Sequence, residues 1–572
     1  MPQAPTPKSL DPLGGFSFVL HSHLPFYRQT GRWPHGEEVL HEVMAETYIP
    51  LVAGLLDLAE DGIPFRLTLG ITPILAEQLD DKLIGEHFDR YIEHEARLAG
   101  EDRACFEAQG DARGVKAAQY YEDYYERVGR LFDERLGRDI LGACRRLQDS
   151  GHIEILASAA THAYLPLLSR DSSIYAQLEV GKRAYEHHFE REPRSIWLPE
   201  CAYRPAYFAQ APHYGYYAKS GLETFLAEEG ISLFFCETHA VTGGEPTGKA
   251  AGGAVGYAPI PERLLLAIPN YIPPRDRSSY RPYLVGASDV AVMARNERTG
   301  RQVWASQVGY PGDPWYREFH RKHETSGMQY WRVTGQSVGL GEKAPYEPER
   351  AQERVREHAQ HFVSLVEDLL KEYRRANDGP GIIVSAYDTE LFGHWWHEGV
   401  DWLLETLRLL ATNPAIETVT AGGWLAEHPA TERLALPESS WGDAGGHNTW
   451  ANPATEWMWS GIHGAERQME QLVARHPNAD GELLELLTQA ARELLLLQAS
   501  DWEFLTTTTQ APEYSSRRFM EHLAWFNDLA QAAEMTSAEE TVDEMALARA
   551  RAYAMRDNPF PDLDYRLFAE RE

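Results

Sequence analysis

The sequence predicts an α/β protein whose parallel strands close into a barrel, with a helical insertion and a helical carboxyl-terminal region. Three observations carry this expectation. Five short apolar runs each end in polar residues, helical patterns lie between several of them, and strand-like runs stop near residue 430, where leucine-rich helical patterns begin. Alternating strands and helices favour a parallel sheet, and five converging strand ends in a chain of 572 residues favour a barrel.

Residues 1–13 begin "MPQAPTPKSLDP", with no basic start followed by an apolar core, and read as a loose, disordered tail. The main unit spans 14–430. It opens on "FSFVLHSHLPF", a strand ending in His21 and His23, followed by a helical stretch over 38–61. "FRLTLGITP" ends near Thr72. Residues 81–145, charged and Tyr-rich ("YYEDYYERVGRLFDERL"), interrupt the alternation and predict a helical insertion. "IEILASAATHAYLP" ends near Thr161 and His162, and "SIWLPECAY" ends in Glu200. The Gly-rich stretch 242–256, "TGGEPTGKAAGGAVG", has the composition of a lid loop. A helix over 347–376 closes with Lys371, Arg374 and Arg375 before the turn "NDGPG". Then comes "GIIVSAYDTELFGHWWHEG", a β-branched run that reaches Asp388 at its carboxyl end and crowds Glu390, His394, Trp395, Trp396, His397 and Glu398 behind it. Residues 431–572 are expected to form a helical domain that contributes to the cleft.

A hydrophobic fraction of 43% and 15 Trp support a large core. The formal net charge of -32 argues against nucleic acid and anionic membrane surfaces as partners held by long-range attraction. Cys105, Cys144, Cys201 and Cys236 lie far apart and form no C-x-x-C pair, which fits a reduced, cytoplasmic protein. No apolar run is read as approaching the ~20 residues that span a bilayer, so a soluble protein is expected.

Glu200 and Asp388 are the candidates for a catalytic carboxylate pair. Each follows a strand, each sits among aromatics, and neither has Lys or Arg within three residues. Two carboxylates about 5–5.5 Å apart across a glycosidic bond allow double displacement with retention, one as nucleophile and the other as general acid, then base. The competing reading of each is a structural carboxylate bonded to backbone. His21, His23 and His162 also fall at strand ends, suited to sugar hydroxyls or to packing. "HSH" equally offers alternate residues on one strand face as zinc ligands, with Asp388, His394 or His397 to complete a set. "WGDAGGHNTWANPATEWMWSGIH" holds Trp441, Trp450, Trp457 and Trp459 in an irregular segment, where indoles stack on pyranose faces or pack the core while Asp443, His447 and Asn448 bond hydroxyls. Asp501 in "LQASDWEFL" adds one polar contact to the same cleft. Two motifs fail on context: "GQSVG" (335–339) lacks the strand and helix of a nucleophile elbow, and Cys201 has no flanking base.

These stretches carry a resemblance. "HSHLPF", "GHIEILASAATHAYLPLL", "WLPECAY", "SAYDTELFGHWWHEG" and "LLLQASDWEFL" stand in the order of the five motifs of glycoside hydrolase family 57. "VGYPGDPWYREFH", "YWRVTG" and "HNTWANPATEWMW" resemble its 1,4-α-glucan branching subgroup, with coverage from about residue 14 to about 530. The resemblance implies an incomplete (β/α)7 barrel, no metal and no cofactor. It implies Glu200 as nucleophile and Asp388 as general acid/base. His21, His23 and His162 match positions that hold the sugar, and Trp33, Trp304, Trp441, Trp450 and Asp501 match cleft positions; His394 is taken with the substrate-binding set. The implied partner is an α-glucan such as amylose, amylopectin or glycogen, and a monomer or small homo-oligomer is expected. The loop over 239–257 departs from the subgroup, being Gly-rich with no aromatic before Tyr257. An α-amylase or 4-α-glucanotransferase is therefore the alternative.

Overall fold

The computed structural model describes residues 11–32, 35–210, 215–244, 263–305, 308–536 and 542–571. Trp33, and the Gly-rich loop from residue 245 on, lie outside the described residues. The central parallel strands are β1 (Gly14–Ser22), β2 (Leu67–Ile71), β3 (Ile153–Leu156), β4 (Ser195–Ile196), β5 (Leu233–Cys236), β6 (Ala291–Ala294) and β7 (Gly381–Asp388). One sheet runs β7-β1-β2-β3 and a second runs β6-β5-β4. The short strand Ile416–Thr418 joins the start of β1, and Tyr283–Val285 lies antiparallel on β6. A parallel bridge between Ala157 and Ile196 connects β3 to β4, and Asn296 N–H, two residues past β6, donates to the carbonyl of Val384 in the middle of β7 at 2.8 Å.

β1 is buried along its whole length, as a parallel strand covered on both faces must be, and this explains its unbroken apolar run. Its register with β7 sets His21 opposite Asp388, and its register with β2 sets His21 opposite Gly70. β5 ("LFFC") and β6 ("AVMA") are the two central strands that the five runs read from the sequence leave out. Arg433–Leu434 pairs with Tyr283–Val285, so one short strand lies beyond residue 430.

A continuous helical run, Glu37–Glu60, corrects the expectation that no apolar stretch reaches bilayer length. It is long and apolar enough to cross a membrane, yet most of it is buried inside the protein. Its middle is a π-helical turn, Met44–Tyr48. The helices Lys82–Gln109 and Ala112–Arg130 form an antiparallel hairpin across Gly110 (φ 74) and Asp111, whose carboxylate caps the second helix at Arg113 N and Gly114 N, both 3.1 Å. Ile140–Asp149, which falls partly inside the expected insertion, instead packs on Ile49–Glu60 and leads into β3. Helices Glu456–Arg475, Gly481–Leu497, Asp501–Thr507, Pro512–Met535 and Glu544–Arg556 follow, and the buried Tyr565 and Phe568 tie the end of the chain to the body. Ser337 of "GQSVG" sits exposed in a turn, away from any strand end.

Candidate active site

Every central strand delivers a polar residue at its carboxyl end: His21 and His23 after β1, Thr72 after β2, His162 beyond β3, Glu200 beyond β4, Glu237 after β5, Arg295 after β6 and Asp388 ending β7. Side chains from the same end of parallel strands converge on one crevice, which is where such sheets place ligands.

Glu200 sits in a tight 3-10 turn, Pro199–Cys201, with φ 60 and ψ 24. Its Oε2 accepts from Trp441 Nε1 at 2.7 Å, its Oε1 from Ser500 Oγ at 3.2 Å, and its carbonyl from Trp441 N at 3.1 Å. Burial pushes the Glu200 pKa up to about 7 and the charge of Asp501 adds to this, while Trp441, His23 and Ser500 work against it. Burial, with the charges of Glu390 and Glu200, also raises Asp388 well above the usual carboxylate range, and Arg295 opposes them.

The three histidines form a stack. The rings of His23 and His162 lie 3.8 Å apart, and His21 stacks on Trp197 at 5.1 Å. His21 Nε2 lies 3.0 Å from His162 Nε2, and His162 Nδ1 lies 3.0 Å from Ser500 Oγ. Burial lowers both pKa values, with His23 adding to the effect, so both rings are neutral near pH 7. Since Ser500 donates to Glu200, His162 must donate to Ser500 from Nδ1, leaving its Nε2 to accept from His21. His23 differs. Burial alone would lower its pKa, but Asp501, 3.1 Å from Nε2, with Glu200 and Glu390 behind it, raises it instead, while Thr72 Oγ1 lies 3.0 Å from Nδ1. Asp501 and Ser500 come from the carboxyl-terminal helical region, so both the carboxylate and the histidine stack depend on it.

Trp441 spans the site, 5.1 Å from the ring of Trp197 and 5.3 Å from the Arg295 guanidinium. Trp304 (37% exposed) meets Trp395 (41% exposed) edge-on at 6.1 Å, an accessible aromatic pair. Trp450 corrects the expectation that it lines the cleft. It is 0% exposed and stacks on Tyr164 at 4.4 Å, presenting no face to a sugar. His447 is likewise occupied, between Tyr164 OH at 2.8 Å and Glu438 Oε1 at 3.0 Å. His394 turns its Nδ1 to Glu46 Oε2 at 2.8 Å.

Sequence reasoning missed Arg295, Ser500 and Tyr48. Arg295 was findable, because "VAVMARNE" ends a strand-like run as the other motifs do. Tyr48 gives no signal, being one apolar-face residue of a helix. Among the described residues, Glu493, His522 and Asp557 form the group with metal-ligand spacing, their ligand atoms within 4.8 Å of one another. Arg518 already supplies the positive charge there, 3.0 Å from His522 Nε2 and 3.6 Å from Asp557 Oδ1.

The profile of glycosyl hydrolase family 57 matches residues 17–437, which hold both carboxyl groups and all three histidines. The chain belongs to glycosyl hydrolase family 57. A second profile, described as 1,4-alpha-glucan branching enzyme, C-terminal, matches 461–568 and includes Ser500 and Asp501. A 1,4-alpha-glucan branching enzyme of Thermococcus kodakarensis is 43% identical over 548 residues, covering 96% of this chain and 77% of that protein. The crystal structure of the Thermococcus kodakaraensis family 57 branching enzyme, in complex with glucose and additives, matches with a TM-score of 0.88 at 42% identity, covering 98% of this chain and 97% of that one. A family 57-type branching enzyme of Pyrococcus horikoshii gives 0.87 at 43%, with 98% and 97% covered. The alpha-amylase AmyC of Thermotoga maritima gives 0.79 at 29%, with 98% and 99% covered.

Proposed function

We propose that this chain is a 1,4-α-glucan branching enzyme that cuts an α-1,4 link with retention and passes the fragment to a 6-hydroxyl of another glucan. The observation that carries this reading is the clamp on Glu200. Its carboxylate accepts from Trp441, four residues beyond the family 57 match, and from Ser500 of the region matched by the branching-enzyme C-terminal profile, and its charge acts on Asp388. The seven parallel strands support an incomplete (β/α)7 barrel, closed at Ala157–Ile196 and Asn296–Val384.

In this mechanism Asp388, kept protonated by burial and the neighbouring negative charges, gives its proton to the departing glycosidic oxygen. Glu200 attacks the anomeric carbon and forms a glycosyl ester. Asp388, now ionised, takes the proton of an acceptor 6-hydroxyl as that oxygen displaces Glu200. The neutral His21–His162 pair and His23, whose pKa the charge of Asp501 raises, hold hydroxyls of the bound sugar, while Trp441, Trp304 and Asp501 line the cleft.

The likeness to a Thermotoga alpha-amylase favours a second reading, in which water is the acceptor. The loop over 239–257 bears on this choice, but from residue 245 it falls outside the described residues. Incubation with amylose followed by isoamylase decides between them. New reducing ends that appear only after debranching establish 6-transfer. Reducing ends present beforehand, with none added, make the enzyme a hydrolase. Redistributed chain lengths with no new ends in either assay mean transfer to a 4-hydroxyl.

A further inference from the structure

The π-helical turn Met44–Tyr48 has no role in the mechanism above, yet it grips the segment that follows Asp388. Tyr48 OH donates to Glu390 Oε1, His394 N–H donates to Thr47 Oγ1 at 3.1 Å, and Glu46 Oε2 meets His394 Nδ1 at 2.8 Å. Three successive residues of one helix thus hold the stretch 390–394. All three lie in the π turn, a local widening of the helix that is frequent at functional sites. The approach is close. Gly393 has φ 108, and a Cβ there would lie 1.9 Å from the Glu46 carbonyl oxygen. Arg317, buried, locks the turn from behind by donating to Glu46 Oε1 at 2.7 Å and to the His394 carbonyl at 3.1 Å.

Glu390 extends the grip to the other side of the site. The same Oε1 that takes Tyr48 also accepts the backbone N–H of His23 at 3.0 Å, and Ser22 Oγ lies 2.7 Å from Thr389 Oγ1. Glu390 is 3% exposed. The end of β1, with its sugar-facing histidines, is thereby joined to the end of β7, with Asp388, through one carboxylate oxygen held by the π turn.

We infer that Tyr48 and Glu390 are positioning residues: with the π turn behind them they fix Asp388 relative to the His21–His23 end of the pocket, where the donated proton must reach the glycosidic oxygen. This rests on Asp388 being the acid/base of the reaction. A proton donor has to lie within hydrogen-bond reach of the leaving oxygen, and a misplacement of about 1 Å costs on the order of 100-fold in rate.

The test uses two donors, amylose, whose leaving sugar must be protonated, and a maltooligosaccharide carrying a 4-nitrophenyl group, which departs with little help from an acid. Tyr48→Phe and Glu390→Gln are measured beside Asp388→Ala as reference, with thermal midpoints to verify folding. Tyr48→Phe keeps the ring volume, and Glu390→Gln keeps an acceptor oxygen without its charge. Both are expected to lose at least about tenfold more kcat/KM on amylose than on the aryl donor, in the same sense as Asp388→Ala. Equal losses on both donors, or none, while Asp388→Ala remains selective, would overturn the inference and leave the mechanism standing. Equal losses in Asp388→Ala itself would remove the acid/base assignment and the inference with it.

Discussion

Glu200 holds its side chain from a left-handed backbone, φ 60, beside Cys201 at φ 49, and His162 at φ 59 faces it across the site. Each such conformation costs on the order of 1–3 kcal/mol, and three together mark where the fold accepts strain to aim side chains. The carboxyl itself adds to the cost. With its folded pKa pushed up to about 7 from the usual 4.5, its ionised form is disfavoured by the fold. A raised carboxyl contributes stability that is fully present below pH about 4.5 and is lost as pH rises through about 7. Glu200→Gln removes that loss along with the nucleophile. We expect turnover to fall by at least about a thousandfold and the thermal midpoint at pH 8 to rise above that of the parent, by the equivalent of about 1–3 kcal/mol, with the difference gone at pH 4.5. Thermal melts at the two pH values check this, and a variant less stable than its parent at pH 8 would refute it. The same values set the pH profile. Glu200 must be ionised and Asp388 protonated, so kcat/KM is expected to fall as pH drops below about 7 on the acid limb governed by Glu200, and to fall again at higher pH as Asp388 ionises. Initial rates on amylose from pH 4 to 9 give the two limbs.

Among the elements, the stretch after β7 is the most constrained. Gly393→Ala sets a Cβ against a backbone oxygen at a positive φ, two penalties that no side-chain rotation relieves. A loss of more than about 2 kcal/mol is expected, read as a lower urea midpoint, and an unchanged midpoint would contradict the packing described. This stretch also marks the limit of what the sequence makes legible. The strand before it declares itself through "GIIV" and its preceding turn, and Asp388 falls at its end as the pattern requires. His394 enters the sequence reading as a histidine near Asp388; its partner Glu46 lies hundreds of residues earlier, and no local pattern reports such a pairing. Trp450 fails for a related reason, since an indole in a Gly-rich segment reads the same whether it faces a sugar or, as here, the ring of Tyr164. Apolar runs and turn signals find elements; long-range partners and burial arise from packing.

At the scale of the molecule, the carboxyl-terminal helices are part of the site rather than an appendage. Ala499 bridges to Ala163, Ser500 N–H donates to the His162 carbonyl at 3.2 Å, Ser500 Oγ serves Glu200, and Asp501 holds His23. The helix Gly481–Leu497 ends in four buried leucines, Leu494–Leu497, that belong to the same core as β1 and β3. Separating the two regions would expose that surface and take from Glu200 and His162 their Ser500 contact and from His23 its Asp501 contact. One cooperative unit follows from this, because no boundary exists at which one region could melt while the other kept its site. Calorimetry of the full chain is therefore expected to give a single transition, coincident with the loss of activity on amylose. Two resolved transitions, with activity surviving the first, would mean that the contacts of Ser500 and Asp501 contribute little to either stability or catalysis. Asp501→Asn refines the point, since it keeps the shape but removes the charge that raises the His23 pKa. With that charge gone the His23 pKa falls, and kcat/KM near neutral pH is expected to drop by about tenfold with the single transition preserved.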